Sequence, residues 1–386
     1  MSLRNLRTIK ERREFVEKSK GVQLSAIATY PDGLDIAAEK NCENMIGAIS
    51  VPLGVAGPLR INGQYAAGEF YLPLATTEAA LVASVNRGCK AITASGGATI
   101  VSHNVGQTRA PVFKLKNLEE GQAFVRYIQT HIKELKKIAS KTSSHLTLLD
   151  AHTQLLGCNV YVRFRFDTTD AMGMNMATFA SSQIAKYLEK NCNARCIAVG
   201  GNFDVDKKPA WLNIIFGRGR QEWGQVKLPR EVVTDILKST PEAICEVVIE
   251  KCLVGSALSG SMAFNAHYAN VIAALFIACG QDVAHVSEGS LGITTTEIQE
   301  GALLASVFLP DLPVGTVGGG TQLPSQKESL TLLGVSGGDN GRNASQFAEI
   351  IAAAVLAGEL SLLAAHAQGT LAASHQRLSG KLRSLK

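Results

Sequence analysis

The stretch Asn159-Val-Tyr-Val-Arg-Phe-Arg-Phe-Asp167 alternates strictly. Val160, Val162, Phe164 and Phe166 fall on one side; Tyr161, Arg163, Arg165 and Asp167 fall on the other. That period of two is the pattern of a strand with one face in a core. Working outward, residues 145–156 also read as a strand. Residues 117–138 place Phe124, Tyr127, Ile128 and Ile132 on one face of an amphipathic helix. Pro111 to Leu115 is a short strand, a helix follows over about 171–190, and Arg195 to Val199 is a final strand. The order is βαββαβ, the split-βαβ or ferredoxin-like unit. It predicts a small domain, residues 111–200, inserted into a larger one made of residues 1–110 and 201–386. The alternative is that these elements continue one large sheet; their compact internal order favours the insertion.

A chain of 386 residues exceeds what one hydrophobic core usually serves, which also predicts two domains. Residues 5–19 alternate charges at helical spacing, as a surface helix does. Asn41 to Pro58 reads as strands and turns punctuated by Gly and Pro. In Ala75 to Gly97, Thr76 or Thr77 can cap a helix with Glu78 in its first turn and Gly96-Gly97 at its end. After Gly217-Arg-Gly-Arg220 the chain reads as mostly helical. The whole is an α+β fold: a large, mostly helical domain with an inserted ferredoxin-like domain. Residues 344–367 form the last long helix. Its apolar run carries Glu349 and Glu359, so it is expected in a core and not in a membrane.

The formal charge of +5 has no basic block or basic–aromatic stripe behind it, which argues against a nucleic-acid partner. It suits a polyanionic small molecule or an ordinary surface equally. The eight cysteines include no CxxC pair and no His/Cys set at zinc spacing, so no metal is expected and buried free thiols are. The charged N-terminus lacks the apolar core of a signal peptide. A cytoplasmic location without membrane attachment is the expectation.

Three segments carry chemistry. In Asp204-Val-Asp-Lys-Lys-Pro-Ala210, Pro209 bars a helix, and Lys207 and Lys208 repel each other unless anions accompany them. Such a pair can hold a carboxylate or an oxyanion, or can be a solvated surface pair; the apolar flank Ala210-Trp-Leu212 argues against simple exposure. In Asp170-Ala-Met-Gly-Met-Asn-Met176, Asp170 is a candidate N-cap for a helix whose first turn, with Gly173, would offer N–H groups to a pyrophosphate. Gly315-Thr-Val-Gly-Gly-Gly-Thr321 can admit a flat ring or a phosphate, or only turn.

Read together and in order, Cys42 to Leu59, Leu74 to Ile92, Thr108 to Val112, Asp170 to Met176, Asp206 to Ala210, Leu253 to Ser261, Ala278 to Asp282, Gly315 to Thr321, Gly358 to Ala365 and the late Ser374-His375 resemble 3-hydroxy-3-methylglutaryl-CoA reductase, class I-like and of the soluble prokaryotic type. The resemblance implies a four-electron reduction of the acyl-CoA thioester to mevalonate and free coenzyme A by two NADPH, with NADH also open. A paralogue reducing another acyl-CoA is the alternative. It implies four catalytic residues. Lys207 polarises the thioester carbonyl, Glu78 supplies a proton to the aldehyde oxygen, Asp282 links the two, and His375 protonates the coenzyme A thiolate. It assigns Arg109, Asp206, Lys208, Lys251 and Asn270 to the acyl part, and Ser84, Asn86 and Arg87 to coenzyme A. Asp170, Met172, Gly173, Met174 and Asn175, with Gly318, Gly319 and Gly320 nearby, go to the nicotinamide cofactor. It further implies that the small domain binds the cofactor and the large one coenzyme A. Glu78 and Lys207 would meet across a homodimer interface, in a dimer or an assembly of dimers, and residues 368–386 would form a C-terminal flap.

Two positions depart from the family's pattern. Gly200 stands where a serine usually helps hold the substrate's terminal carboxylate, and one charge-assisted hydrogen bond there is worth roughly 1.5–3 kcal/mol. His285 replaces the glutamine of GQDxAQ, one helical turn after Asp282, where it either lies at the surface or perturbs the catalytic carboxylate. The region expected to face a cofactor 2′-phosphate, Thr142 to His145, offers hydroxyls and a histidine with no arginine.

Overall fold

The computed structural model describes residues 3–369; His375 and residues 370–386 of the expected flap lie outside them. Among the described residues, ten strands form one connected sheet around two separate cores. They are β1 (Leu53–Asn62), β2 (Ala67–Ala75), β3 (Ala98–Arg109), β4 (Val112–Lys114), β5 (Thr147–Leu156), β6 (Asn159–Asp167), β7 (Arg195–Ala198), β8 (Arg218–Leu228), β9 (Ile293–Gln299) and β10 (Ala302–Leu312).

Within residues 112–198 the strand order is β7-β4-β6-β5, with every pairing antiparallel. Helices Leu118–Thr130, Ile132–Ser140 and Met174–Asn191 cover this sheet. The expected single helix over 117–138 is thus two, broken at His131 (φ −103°, ψ 16°). Val160, Val162, Phe164 and Phe166 are fully buried, as their alternation requires, and pack with Phe113, Phe124 and Ile184. The separation from the rest is less clean than an insertion suggests. Strand β3 pairs with β8 along Thr99–Gly106 and then with β6 along Gln107–Arg109. Pro111 cannot donate to a ladder, yet its carbonyl accepts from Val162, so the strand carries on into β4. One strand therefore serves both sheets, while the apolar side chains gather into two cores.

The large part holds more helix than strand, but its sheet is more extensive than expected. Six strands build it, and β8 alternates inward Glu222, Gly224, Val226 and Leu228 with outward Trp223, Gln225 and Lys227. Strands β9 and β10 form a hairpin through Glu300-Gly301, both at positive φ (52° and 79°), the backbone that a two-residue primed turn needs. The Thr294-Thr-Thr296 run and the Glu-Gly turn were the sequence signals. Helix Arg342–Ala367 is long and apolar enough to cross a membrane by composition, but it is buried inside this core. Its two acids are satisfied in place: Glu349 accepts from the N–H groups of Gln64, Tyr65 and Ala66, and Glu359 from Ala266, His267 and Thr294 Oγ1. Helix Leu81–Ala94 crosses it so closely that a Cβ on Gly88 would meet the Ala357 carbonyl oxygen at 1.9 Å.

Other expectations shift in detail. Helix Ile9–Lys20 lies on the surface with no buried residue. Helix Leu81–Ala94 starts behind Ala80 at φ 76° without a side-chain cap, so Glu78 lies in the loop before it and not in its first turn. There Thr76 Oγ1 accepts from the Glu78 N–H at 3.0 Å, closing a local turn that competes with helix. The thiols are all free, but only Cys89, Cys252 and Cys279 are buried; Cys42 is exposed and the others are half-buried.

Candidate active site

Residues 199–210 join the small unit to the large one. Three non-glycine residues of this loop, Asn202, Val205 and Lys207, hold φ near +60°. Such backbone persists only where the surroundings over-determine it, and here they do. The buried Asp204 carboxylate accepts from Arg109 Nη1 (3.1 Å) and Ala110 N (3.3 Å), and the Asp204 carbonyl accepts from Thr108 Oγ1 (2.8 Å). The Lys207 N–H donates to Glu288 Oε2 at 2.6 Å. Arg218, fully buried at the start of β8, binds Glu288 through Nη1 and Asp206 Oδ1 through Nη2 (2.9 Å), with Asp311 3.9 Å away. Burial pulls this guanidinium down, and the four acids Asp311, Glu288, Asp206 and Asp204 more than reverse that.

The Lys207 ammonium emerges from this base and pairs with Asp282 Oδ2 at 2.7 Å, both side chains remaining partly exposed. Burial pushes the Asp282 carboxyl up. The hydrogen bond from Lys207, the Ala284 N–H and the charges of His285 and Lys207 outweigh that and hold it below the ordinary carboxylate range. An ammonium fixed on a strained loop beside an ionised carboxylate can hold a developing oxyanion.

Glu78 stands apart from this pair. It is exposed, its Oε2 accepts from Asn270 Nδ2 at 2.8 Å, and among the described residues no hydrogen bond joins it to Asp282. The structure thus brings Lys207, Asp282, Asp206 and Arg109 together, and separately Glu78 and Asn270. Lys208 is exposed, its Nζ donating to the Asp206 carbonyl at 3.2 Å. Lys251 is exposed on Val248–Gly255, a π-helical stretch. Asn86 accepts from the Gly57 N–H, while Ser84 and Arg87 bond to Ser361 and its carbonyl on the long helix. A Cβ at Gly200 would stand 3.2 Å from Arg109 Nη1 and 3.9 Å from Asp204 Oδ2, so a side chain there would abut the arginine.

The Asp170 segment departs from its expected geometry. Asp170 does not cap the helix that follows it. Its buried carboxylate accepts from the N–H groups of Asp339, Gly341 and Ala344 and so caps helix Arg342–Ala367. Gly173, at φ 85°, is instead the N-cap of Met174–Asn191, whose first turn has no side-chain cap. Met174 is buried with its sulfur 3.0 Å from Arg218 Nη2, while Asn175 is exposed. Met172 accepts through its carbonyl from Gln107. The glycine loop does reach this place: Ala171 bridges Val317, and a Cβ on Gly315 would meet Met172 N at 2.3 Å. Gly318 and Gly319 have open space where a Cβ would be, and Gly320 packs on Gly280. An uncapped helix start beside an open glycine turn fits a nucleotide cofactor.

Arg218, Glu288, Asp204 and Asp311 belong to the site and were missed in sequence. An inward arginine at the head of an alternating strand was the available signal. Asp206, His285 and Glu288 are close enough to suggest a metal triad. The Arg218 guanidinium already fills that cationic role, bonded to Asp206 and Glu288.

A family model described as hydroxymethylglutaryl-coenzyme A reductase matches residues 8–380. The chain belongs to that family. The enzymes of this name from Haloferax volcanii and Methanocaldococcus jannaschii are each 50% identical to it, over 369 and 373 residues, covering 95% of this chain and 91% of theirs. A solved structure, titled as the class II reductase of Streptococcus pneumoniae bound to NADPH, superposes with a TM-score of 0.69 at 20% identity, covering 93% of this chain and 97% of that one. The mixed helix and antiparallel sheet described above is therefore the reductase fold. Within it Lys207 and Asp282 stand paired, while Glu78 stands apart from them beside Asn270.

Proposed function

We propose that this reductase carries out the four-electron reduction of 3-hydroxy-3-methylglutaryl-CoA to mevalonate and free coenzyme A. The Lys207–Asp282 pair on its strained, charge-braced loop is the observation that carries the reading. Lys207 Nζ holds the carbonyl oxygen as charge develops on it, and Asp282 keeps the ammonium aimed. Glu78, oriented by Asn270, supplies the proton to the aldehyde oxygen. His375 protonates the departing thiolate, a task for a group that titrates near neutrality. Arg109 and Lys208 receive the carboxylate end of the acyl group, with Lys251 from the π-helical stretch and Asp206 bracing them. Ser84, Asn86 and Arg87 line the coenzyme A side.

The nicotinamide cofactor, when bound, supplies hydride twice. Gly173, Asn175 and Gly318 to Gly320 would hold it; Asp170 and Met172 shape that wall through their backbone, and Met174 anchors it to Arg218. We assign NADPH, with NADH as the comparison. Residues 111–200 act as the ferredoxin-like cofactor domain inserted in a substrate domain of residues 1–110 and 201–386; the order β7-β4-β6-β5 supports this. The class I-like assignment rests on the Asp170 to Met176 and Asp206 to Ala210 motifs alone; the solved structure that superposes is titled class II, at 20% identity. The exposed, unlinked Glu78 supports a homodimer in which it approaches the Lys207 of a second copy.

The experiment is a substrate panel. Purified protein should oxidise NADPH when hydroxymethylglutaryl-CoA is added and release free thiol. Activity on another acyl-CoA with none on this one would replace the substrate assignment, and a higher kcat/KM with NADH would replace the cofactor.

A further inference from the structure

The Asp282 carboxylate has a second neighbour besides Lys207. His285 is fully buried, and its two ring nitrogens have unlike surroundings. Nδ1 is in close hydrogen-bonded contact with Glu288 Oε1. Nε2 has no hydrogen-bond partner among the described residues and lies 3.8 Å from Asp282 Oδ2, the same oxygen that holds Lys207 Nζ. A buried polar atom left unpaired is costly, so its placement against a working carboxylate needs a reason.

The charges around the ring supply one. Asp282 faces it from one helical turn before and Glu288 from one after. Asp206, from the 199–210 loop, places Oδ1 3.9 Å from Nδ1. Arg218 of β8 bonds both Glu288 and Asp206, and Lys207 lies beyond Asp282. Behind Arg218, Asp311 of β10 lies 3.9 Å from Nη1, and burial and then the charge of Glu288 push its carboxyl well above the carboxylate range; Arg109 is matched by Asp204. Three carboxylates thus face two cations, and the imidazole is the group placed to supply the third positive charge. Glu288 accepts at Nδ1, which fixes one ring proton. A proton on Nε2 then points at Asp282, where a lone pair would be repelled.

We propose that His285 is a positioning residue for the reduction: locked by Glu288, its Nε2–H side fixes the charge and orientation of Asp282 and so keeps the Lys207 ammonium aimed at the carbonyl oxygen. This rests on the reading of Lys207 as the oxyanion holder. It makes the histidine that departs from GQDxAQ a working part of this chain's site.

The test uses the full chain with NADPH and hydroxymethylglutaryl-CoA. Absence of wild-type activity overturns the functional reading and this inference with it. With wild-type activity present, H285Q should lower kcat roughly ten- to a hundredfold, the scale of one lost charge-assisted contact. KM and NADPH binding, read by nucleotide fluorescence, should stay within about twofold. Both limbs of the kcat–pH profile should move to higher pH, because removing a nearby positive charge weakens the acid and strengthens the ammonium's hold on its proton. In H285A, added imidazole should restore part of kcat. Unmoved pH limbs in H285Q, or a fall in kcat matched by lost NADPH binding and no rescue in H285A, overturn the inference and leave His285 a packing residue.

Discussion

The Lys207 side and the Glu78 side of the site are built in opposite ways. Lys207 stands on a loop pinned from beneath by Asp204, Arg109, Glu288 and Arg218, most of them buried. Glu78 stands on an exposed turn before helix Leu81–Ala94, with one side-chain partner, Asn270. The difference separates what one chain can prepare from what it leaves open. An oxyanion holder must be rigid before substrate arrives, because reorganising it during reaction would cost rate. In the proposed dimer the proton donor approaches from a second copy, and its own chain needs to hold it only lightly, here through Asn270.

The sharpest way to break this contrast is beneath Lys207. Arg218→Met leaves the buried Glu288 and Asp311 and the half-buried Asp206 without their cation, and stability in chemical denaturation should fall by about 3–5 kcal/mol. Lys207→Met, a few residues away in the same network, should lower kcat by roughly 10²–10³ while leaving the denaturation midpoint nearly unchanged. Equal stability losses in both variants would mean that Lys207 is a structural charge.

On the other side, Glu78→Gln should lower kcat by roughly a hundredfold with no change in stability. Mixing it with Lys207→Met under conditions that exchange subunits should regain activity that neither variant has alone. No recovery after demonstrated exchange would place both residues in one chain's site. The smallest expected effect lies between the two regions. Asp170→Ala uncaps helix Arg342–Ala367 and should cost about 1–2 kcal/mol in thermal unfolding, with kcat affected less than in the other variants.

Much of this was legible in the sequence. Strict alternation in Asn159–Asp167 located the small unit and its buried face, and the ordered motifs pointed to Lys207 and Asp282, which the fold pairs, and to Glu78, which it sets apart. The strands β8 to β10 were not read, although β8 alternates and Glu300-Gly301 marks a hairpin, because Gly- and Ala-rich helices around them dominate the composition. Asp170 misled for another reason. A capping carboxylate announces a helix start, but the sequence does not say which helix, and the one it caps begins 172 positions later, at Arg342. Arg218 carried a faint signal, an inward arginine heading an alternating strand, but its pairing with Glu288 was invisible because buried ion pairs join residues with no sequence pattern between them. His285 was noticed as a departure, and only its burial against Asp282 decided between its two readings.

The central claim is that the braced Lys207 and the open Glu78 serve one thioester through two successive reductions. The most direct measurement is the ratio of nicotinamide cofactor oxidised to free coenzyme A released, with hydroxymethylglutaryl-CoA limiting. The account predicts about two cofactors per thiol and mevalonate as the product. One cofactor per thiol with the aldehyde accumulating, or thiol release with no oxidation, would contradict it.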